Sequence, residues 1–372
     1  MAPIRLLDIS GSPYDMGYQH GKTYARDILD LTEERVHLSS DPNWTGRTLS
    51  REEVLALGEA CLAEHRAYAP ALMEELRGVA DAVAEQTGTR PTLGELIIMN
   101  GFTDFIDTLA NAGAPEPVRP ANPAADNCTA FIVPPDSSAD GRGFIGQTWD
   151  MHKTATPYVI MLRGKPDDGP AFLTFTITGC VGMIGMNDAG IAVGINNLMA
   201  ADGQPGVTWP FVIRKALMQT DLDAALACIT DAKLAGGHNY ILADSTGRGY
   251  NVEATATHYE IEATDGHSIT HTNHCLTPRN VDLSRPRSPD SQASSEERLQ
   301  RARELLNENR RITVDDLIAL TRDQTYAHGI CAVGTAPVWV ETCGAAIMRP
   351  ASREMWAVWG LPVDNDYERF TL

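Results

Sequence analysis

Asp126-Asn127-Cys128-Thr129-Ala130-Phe131-Ile132-Val133, residues 126–133, is the stretch on which the fold turns. Just upstream, between Ala112 and Ala125, the composition changes abruptly to Ala, Pro, Asn and Gly, and Pro115, Pro117, Pro120 and Pro123 exclude a regular helix. That segment reads as an exposed linker. Downstream, Thr129 to Val133 is a short apolar run closed by Pro134 and Pro135, which reads as a strand. A cysteine therefore stands where a cleavable linker meets a buried strand. A thiol there can be mere packing, since free cysteine behaves as a small hydrophobe. It is also where a nucleophile exposed by proteolysis would have to sit.

Working outward, the first hundred residues read as helical after a short opening segment. Tyr14 to Leu31 is one candidate helix, and Arg51 to Glu85 holds one or two more. Val54, Leu57, Cys61 and Leu62, then Leu72, Leu76 and Val79, recur at three- and four-residue steps, the mark of an amphipathic helix. Ser50 followed by Glu53 is a capping-box start. Beyond residue 128 the pattern changes to strands at 144–149, 158–162, 172–178, 191–195, 240–243, 250–254 and 259–261, punctuated by Gly, Asn and Asp. Two helix pairs interrupt them, 208–218 with 222–232 and 296–306 with 314–320, while Arg279 to Ser294 reads as a polar loop. Helices grouped between antiparallel strands predict a layered α+β sandwich, not a doubly wound parallel sheet.

The bulk composition narrows the function. Hydrophobic residues make up 43% and charged residues 21% of 372 positions, ordinary globular usage. A formal charge of −19 repels phosphate backbones and anionic lipid, so neither nucleic acid nor a membrane surface is an expected partner. Met1 to Gly11 carries no apolar core with a cleavage site, and no stretch reaches the roughly 18 consecutive apolar residues of a membrane span, so export and insertion are not expected. Seven scattered cysteines, an odd number in a chain too large to need staples, suit a reducing cytoplasm.

Three further features carry chemistry. Gly146-Gln147-Thr148-Trp149-Asp150 closes the strand after Cys128, and in an antiparallel hairpin its end returns beside the start of the Cys128 strand. Asp150 there could hold a free α-amino group by a charge-assisted hydrogen bond, or could simply be a turn aspartate. His271-Thr272-Asn273-His274-Cys275 is a dense polar cluster. His271, His274 and Cys275 are metal-ligand types, but no second ligand pair with zinc spacing exists elsewhere. Alternatively Asn273 presents its amide to an oxyanion, with the histidines in support.

Taken with Gly185-Met186-Asn187-Asp188-Ala189-Gly190, these motifs in this order resemble the acyl-coenzyme A:isopenicillin N acyltransferase family, relatives of bile salt hydrolases and acid ceramidase. Gly11-Ser12-Pro13 with Gly17 and Gly21 resembles the family's opening glycine pattern, and Leu72 to Ala80 its second helix, so the similarity spans nearly the whole chain. The resemblance implies a four-layer αββα Ntn-hydrolase sandwich made as a precursor. Cys128 would attack the Asn127 carbonyl, and hydrolysis would release residues 1–127 as a small helical subunit bound to the core 128–372, the two together forming one domain. The freed α-amine, with a pKa of about 8 or just below, would then serve as the thiol's base near neutral pH. Asn273 and Asn196 would bind the oxyanion. Asn196 lies in Gly194-Ile195-Asn196-Asn197 and reads equally as a turn amide. Arg298, in Ser294-Ser295-Glu296-Glu297-Arg298-Leu299, resembles the position of an active-site arginine, though a helix-face arginine beside two glutamates is ordinarily solvated.

Two departures are visible. Asn127 stands where the penicillin-forming enzyme has glycine, and Cys343, in Glu341-Thr342-Cys343-Gly344-Ala345, stands where it has arginine. The expected substrate is accordingly a small N-acyl or β-alanyl amide and not a β-lactam. The leading expectation is a cysteine amidohydrolase with no cofactor and no metal. An acyl-CoA-dependent N-acyltransferase is the alternative, and would need a basic pocket that the sequence does not display. A catalytically silent relative that binds a ligand is the third. Expected partners are a small-molecule amide or acyl donor, the cleaved N-terminal fragment as a heterodimer, and a second copy of the chain as a homo-oligomer.

Overall fold

The computed structural model describes residues 3–42, 48–111, 127–308, 311–334 and 339–372. The predicted linker 112–125 and Asp126 lie outside them. Among the described residues, six helices precede the linker: α1 (Pro13–Thr23), α2 (Ala25–Ser40), α3 (Arg51–Tyr68), α4 (Pro70–Thr87), α5 (Leu93–Asn100) and α6 (Phe102–Asn111). The single helix predicted over 14–31 is in fact two, separated at Tyr24, whose φ of −120° leaves the helical region. Ser50 and Glu53 form the predicted capping box at the start of α3. The glycines near the N-terminus serve close packing. A Cβ on Gly17 would lie 1.8 Å from the Glu75 carbonyl oxygen and one on Gly78 2.2 Å from that of Tyr14, so α1 and α4 cross almost backbone to backbone.

The short opening segment, to which no element is assigned from the sequence, is a strand, β1 (Arg5–Gly11). It forms the parallel edge of an eight-stranded sheet ordered β1-β4-β5-β6-β7-β8-β9-β10. Its other members are β4 (Val159–Pro166), β5 (Phe172–Ile177), β6 (Ile184–Asn187), β7 (Ala192–Leu198), β8 (Gly237–Ala243), β9 (Gly249–Ala254) and β10 (Tyr259–Ala263). A second, antiparallel sheet runs β11-β2-β3-β12-β13-β14. It comprises β2 (Ala130–Val133), β3 (Phe144–His152), β11 (Ile269–His271), β12 (Val340–Arg349), β13 (Glu354–Trp359) and β14 (Glu368–Thr371).

The two sheets stack face to face. Trp149 of β3 meets Phe175 of β5 edge-on with centroids 6.4 Å apart, and the Gln147 amide crosses from β3 to bond both backbone groups of Ile195 on β7, at 2.7 and 2.5 Å. Outside the larger sheet lie α1, whose Met16 packs on Phe172, and α7 (Trp209–Ala216), with α8 (Leu222–Thr230) following it. Outside the smaller sheet lie α10 (Pro289–Glu308) and α11 (Val314–Thr321). Their Ala302, Leu306, Leu317 and Leu320 cluster with Phe131, Phe144 and Ile347. The result is the expected α+β, four-layer αββα sandwich. The polar loop predicted over 279–294 is partly helical: α9 (Pro278–Asp282) and the first turns of α10 occupy its two ends.

Candidate functional site

Strand register places Cys128. Ala130 pairs with Gln147 across β2 and β3, so the chain two residues before Ala130 runs beside Trp149 and Asp150. Thr129 and Thr148 clamp that approach: the Thr129 amide donates to the Thr148 hydroxyl, and the Thr148 amide to the Thr129 carbonyl, both at 3.0 Å. The Cys128 sulfur, on a residue only 6% exposed, then receives the Asp150 backbone N–H at 3.4 Å and lies 3.8 Å from the Asp150 carbonyl oxygen.

Asp150 thus meets Cys128, but through its backbone and not through its carboxylate. The side chain is buried, and neither carboxylate oxygen has a hydrogen-bond partner among the described residues. Burial pushes its pKa up to about 7, against the opposing influence of Arg298 and of the Thr342 and Thr148 hydroxyls, which lie near without completing a bond. Desolvated carboxylates are ordinarily satisfied.

Arg298 is not solvated as a helix-face arginine would be; it is fully buried. Its Nη1 donates to the Asn127 carbonyl at 2.5 Å, the Cys128 carbonyl at 2.7 Å and the Thr129 hydroxyl at 3.1 Å, and its Nη2 to Asn273 Oδ1 at 3.1 Å. One turn earlier Ser294 donates to the Asn127 side chain at 3.0 Å. Ser291, Ser294, Ser295 and Arg298 are all buried, and their three- and four-residue spacing makes one polar face of α10 turned inward. The sequence reading places Ser291 and Ser294 in a polar loop, and the three- and four-residue spacing of these serines with Arg298 is the signal that could have revealed the face.

Asn273 and Asn196 complete the cluster. Asn196 donates to the Cys128 carbonyl at 3.2 Å and is oriented by Asn239 at 3.4 Å. Asn273 Nδ2 donates to the Asn197 carbonyl at 3.1 Å, so its amide is held across the end of β7. Its backbone is fixed from two sides, N–H on Ser295 Oγ at 2.9 Å and carbonyl under Arg287 at 2.6 Å. Behind it, Glu253 of β9 gathers five donors: His271 Nε2, the Leu276 and Thr277 amides, the Thr277 hydroxyl and Asn280 Nδ2, at 2.6–3.4 Å. Burial opposes its charge, yet His271 and the other donors outweigh that and bring the carboxyl down to about 2.

The structure thus brings Cys128, Asp150, Asn196, Asn273 and Arg298 into one hydrogen-bonded cluster around the Asn127–Cys128 junction. Gln147, Thr148, Ser294, Ser295 and Glu253 also shape it and were not picked out from the sequence. The side chains that suggested a metal have separate engagements, His271 with Glu253 at 2.8 Å and His274 with Ser295 at 2.7 Å. The Cys275 thiol is pushed up to about 12 by burial. Among the described residues no group of three or more His, Cys, Asp or Glu could hold a metal ion. Cys343 is buried, its sulfur on the His152 carbonyl at 3.5 Å. A cavity of about 440 Å³ opens beside Asn127, lined also by Ser294, His328, Cys331 and Val340. No helix among the described residues is long and apolar enough to cross a membrane.

Residues 137–364 match the sequence profile of the acyl-coenzyme A:6-aminopenicillanic acid acyl-transferase family. An uncharacterized protein of Archaeoglobus fulgidus is 27% identical over 273 residues, 70% of this chain but only 45% of that protein, so the chain spans less than half of that relative's length. The acyl-coenzyme A:6-aminopenicillanic-acid-acyltransferase 40 kDa form of Emericella nidulans is 25% identical over 272 residues, 72% of this chain and 68% of that one. Among solved structures, the C2A mutant of the Clostridium perfringens conjugated bile acid hydrolase is similar at 11% identity and a TM-score of 0.43, over 66% of this chain and 97% of that one. Penicillin V acylase from Agrobacterium tumefaciens is similar at 12% identity and a TM-score of 0.34, over 63% of this chain and 77% of that one.

Proposed function

Because the chain belongs to the acyl-coenzyme A:6-aminopenicillanic acid acyl-transferase family, we propose that it is a self-processing cysteine amidohydrolase whose nucleophile is Cys128 and whose substrate is a small N-acyl amide. One observation carries this reading: Arg298 donates to the carbonyl oxygens on both sides of the Cys128 nitrogen, at 2.5 and 2.7 Å, while the sulfur takes the Asp150 amide at 3.4 Å.

In the first reaction the Cys128 thiol adds to the Asn127 carbonyl carbon, and Arg298 meets the charge gathering on that oxygen. The thiol proton passes to the departing Cys128 nitrogen as the C–N bond breaks, leaving a thioester to Asn127. Water hydrolyses the thioester, releasing the Asn127 carboxylate and regenerating the thiol. The new α-ammonium finds in Asp150 a buried carboxylate with no other donor among the described residues, and the pair stabilise one another. In turnover the α-amine takes the thiol proton, the sulfur attacks the substrate amide, and the same proton leaves on the departing amine. Asn273 and Asn196 are the oxyanion donors, and the 440 Å³ cavity beside Asn127 receives the acyl group of the substrate, which water then releases from the thioester as the carboxylate.

The cleaved N-terminal segment would stay bound. It supplies β1 to the larger sheet, and α6 is tied to the core through Asp107, which accepts from the Ala200 and Gly237 amides at 3.1 and 3.0 Å, and through Asp104, which accepts from the Trp209 amide at 3.0 Å. An amine could replace water at the thioester, and the acyltransferase from E. nidulans among its relatives favours testing that route. The scattered, odd set of cysteines supports a cytoplasmic setting.

Intact-mass measurement of purified protein should give two species, the larger beginning at Cys128. Cys128→Ala should leave one full-length species with no amidase activity. An active Cys128→Ala protein would reject the nucleophile.

A further inference from the structure

On a chain of net charge −19, one cavity is lined by cations and by no acidic side chain among the described residues. It has a volume of about 260 Å³, and Asn273, His274, Cys275, Ser284, Arg285 and Arg287 contribute to its walls. We propose that this cavity is a subsite for a compact oxyanion, a carboxylate or a phosphate, carried by the substrate.

Arg285 carries the case. It is 6% exposed, and one end is paired: Nη2 donates to Asp107 Oδ1 at 3.1 Å. Asp107 also accepts the Ala200 and Gly237 amides, so its charge is shared with donors other than Arg285. The other end of Arg285 is not satisfied. Both Nε and Nη1 are buried with no acceptor among the described residues. A buried charged donor left unpaired costs more than a neutral one, and an incoming oxyanion would remove that cost. Arg287 adds a second positive charge, resting on the neutral oxygens of Asn273 and Ser291, both at 2.6 Å. The nearby carboxylates are engaged elsewhere: Glu253 by its five donors, Asp202 by Thr255 and Thr257, and Glu296 by Gln292.

The cavity adjoins the proposed centre. Asn273 lines it, and the same side chain accepts from Arg298, which holds the Cys128 carbonyl. An anionic group seated on Arg285 would anchor an acyl compound whose reactive carbonyl reaches past Asn273 toward the sulfur. The volume is below the usual 300–1,000 Å³ of pockets that enclose drug-sized ligands, and suits a carboxylate or phosphate with a few carbons attached. The link to turnover rests on the function proposed above; anion binding itself does not.

The test is calorimetric titration of the purified protein with sodium succinate and, separately, with inorganic phosphate. At least one should bind, and which of them does identifies the source of the oxyanion. Arg285→Met should weaken that binding roughly tenfold to a hundredfold. Because losing the Asp107 pair could unfold that variant, Ser284→Asp is the second probe. It places a carboxylate in the cavity with the Arg285–Asp107 pair intact, and should weaken binding by a similar factor. No binding of either anion, or unchanged binding in a folded variant, overturns the subsite. For turnover, N-acyl amides ending in a carboxylate are compared with their methyl esters. Ser284→Asp should shift the ratio of their KM values about tenfold against the carboxylate. An unchanged ratio overturns the link to substrate. Cys128→Ala should bind the anion normally, which separates failure of the subsite from failure of the nucleophile.

Discussion

Two carboxylates, each about 1% exposed and held on facing sheets, have opposite surroundings. Glu253 on β9 gathers five donors and ionises readily, its pKa drawn down to about 2 in spite of burial. Asp150 on β3 finds no hydrogen-bond partner among the described residues, and burial pushes it up to about 7. The first is fastened to its surroundings and holds the Asn273 loop in place. The second is left without a donor among the described residues, on a residue whose backbone N–H meets the Cys128 sulfur. Burial is the same for both; the count of donors separates them, and on the function proposed above the carboxylate without donors is the functional one.

The contrast is broken most decisively at Asp150. Asp150→Asn should lower amidase turnover by roughly 10²–10⁴-fold, the scale of losing an oriented acid–base partner, as measured by kcat on the best amide found. A fall of only a few-fold would show that the carboxylate serves nothing but packing. In the uncut Cys128→Ala background the same substitution should raise stability, because it removes a buried charge that lacks a donor.

Glu253→Gln should act with the opposite sign. It removes the charge that five donors share, and unfolding in urea should show a loss of roughly 2–4 kcal/mol, with turnover falling through misplacement of Asn273. Equal stability of variant and parent would reject the clamp.

The smallest effect is in pH dependence. Asp150's folded value lies above its ordinary 3.8, so its stabilising neutral form counts fully below that value and is lost as pH rises toward about 7. Uncut Cys128→Ala protein should therefore lose stability relative to Cys128→Ala/Asp150→Asn between pH 4 and 7. Glu253's folded value lies below its ordinary 4.5, so its contribution is complete above 4.5 and is lost as pH falls toward 2. The stability gap between parent and Glu253→Gln should close over that lower window. Differences between variants are the proper measure, since buried His20, His65 and His238, depressed to about 3–4 by burial, titrate in the same range in both members of each pair.

Much of this was readable beforehand where local pattern decides structure. The capping box at Ser50, the paired helices after residue 208 and the strands flanking Cys128 follow from spacing and turn residues, and they predict the layered sandwich. The closing strands β12 to β14 were missed, and for β12 there is a physical reason. Cys343, Gly344, Ala345 and Ala346 lack the branched and aromatic residues that mark strands, because the facing sheet leaves no room: a Cβ on Gly344 would lie 2.6 Å from the Phe175 ring. The break at Tyr24 was missed because amphipathic periodicity continues across it.

The sequence by itself determined the position of the candidate nucleophile, the alternation of helix and strand blocks, and the polar residues from which a site could be made. Those follow from short-range periodicity and steric preference. Only the tertiary structure decided that Arg298 is buried against the Asn127 and Cys128 carbonyls, that the Asp150 carboxylate lacks a donor among the described residues while Glu253 has five, and that Arg285, with two buried N–H groups lacking an acceptor among the described residues, lines a cavity. Each of those depends on partners 18 or more residues away or on their absence. Desolvation and hydrogen-bond satisfaction are sums over everything that surrounds a group, and no local pattern contains them.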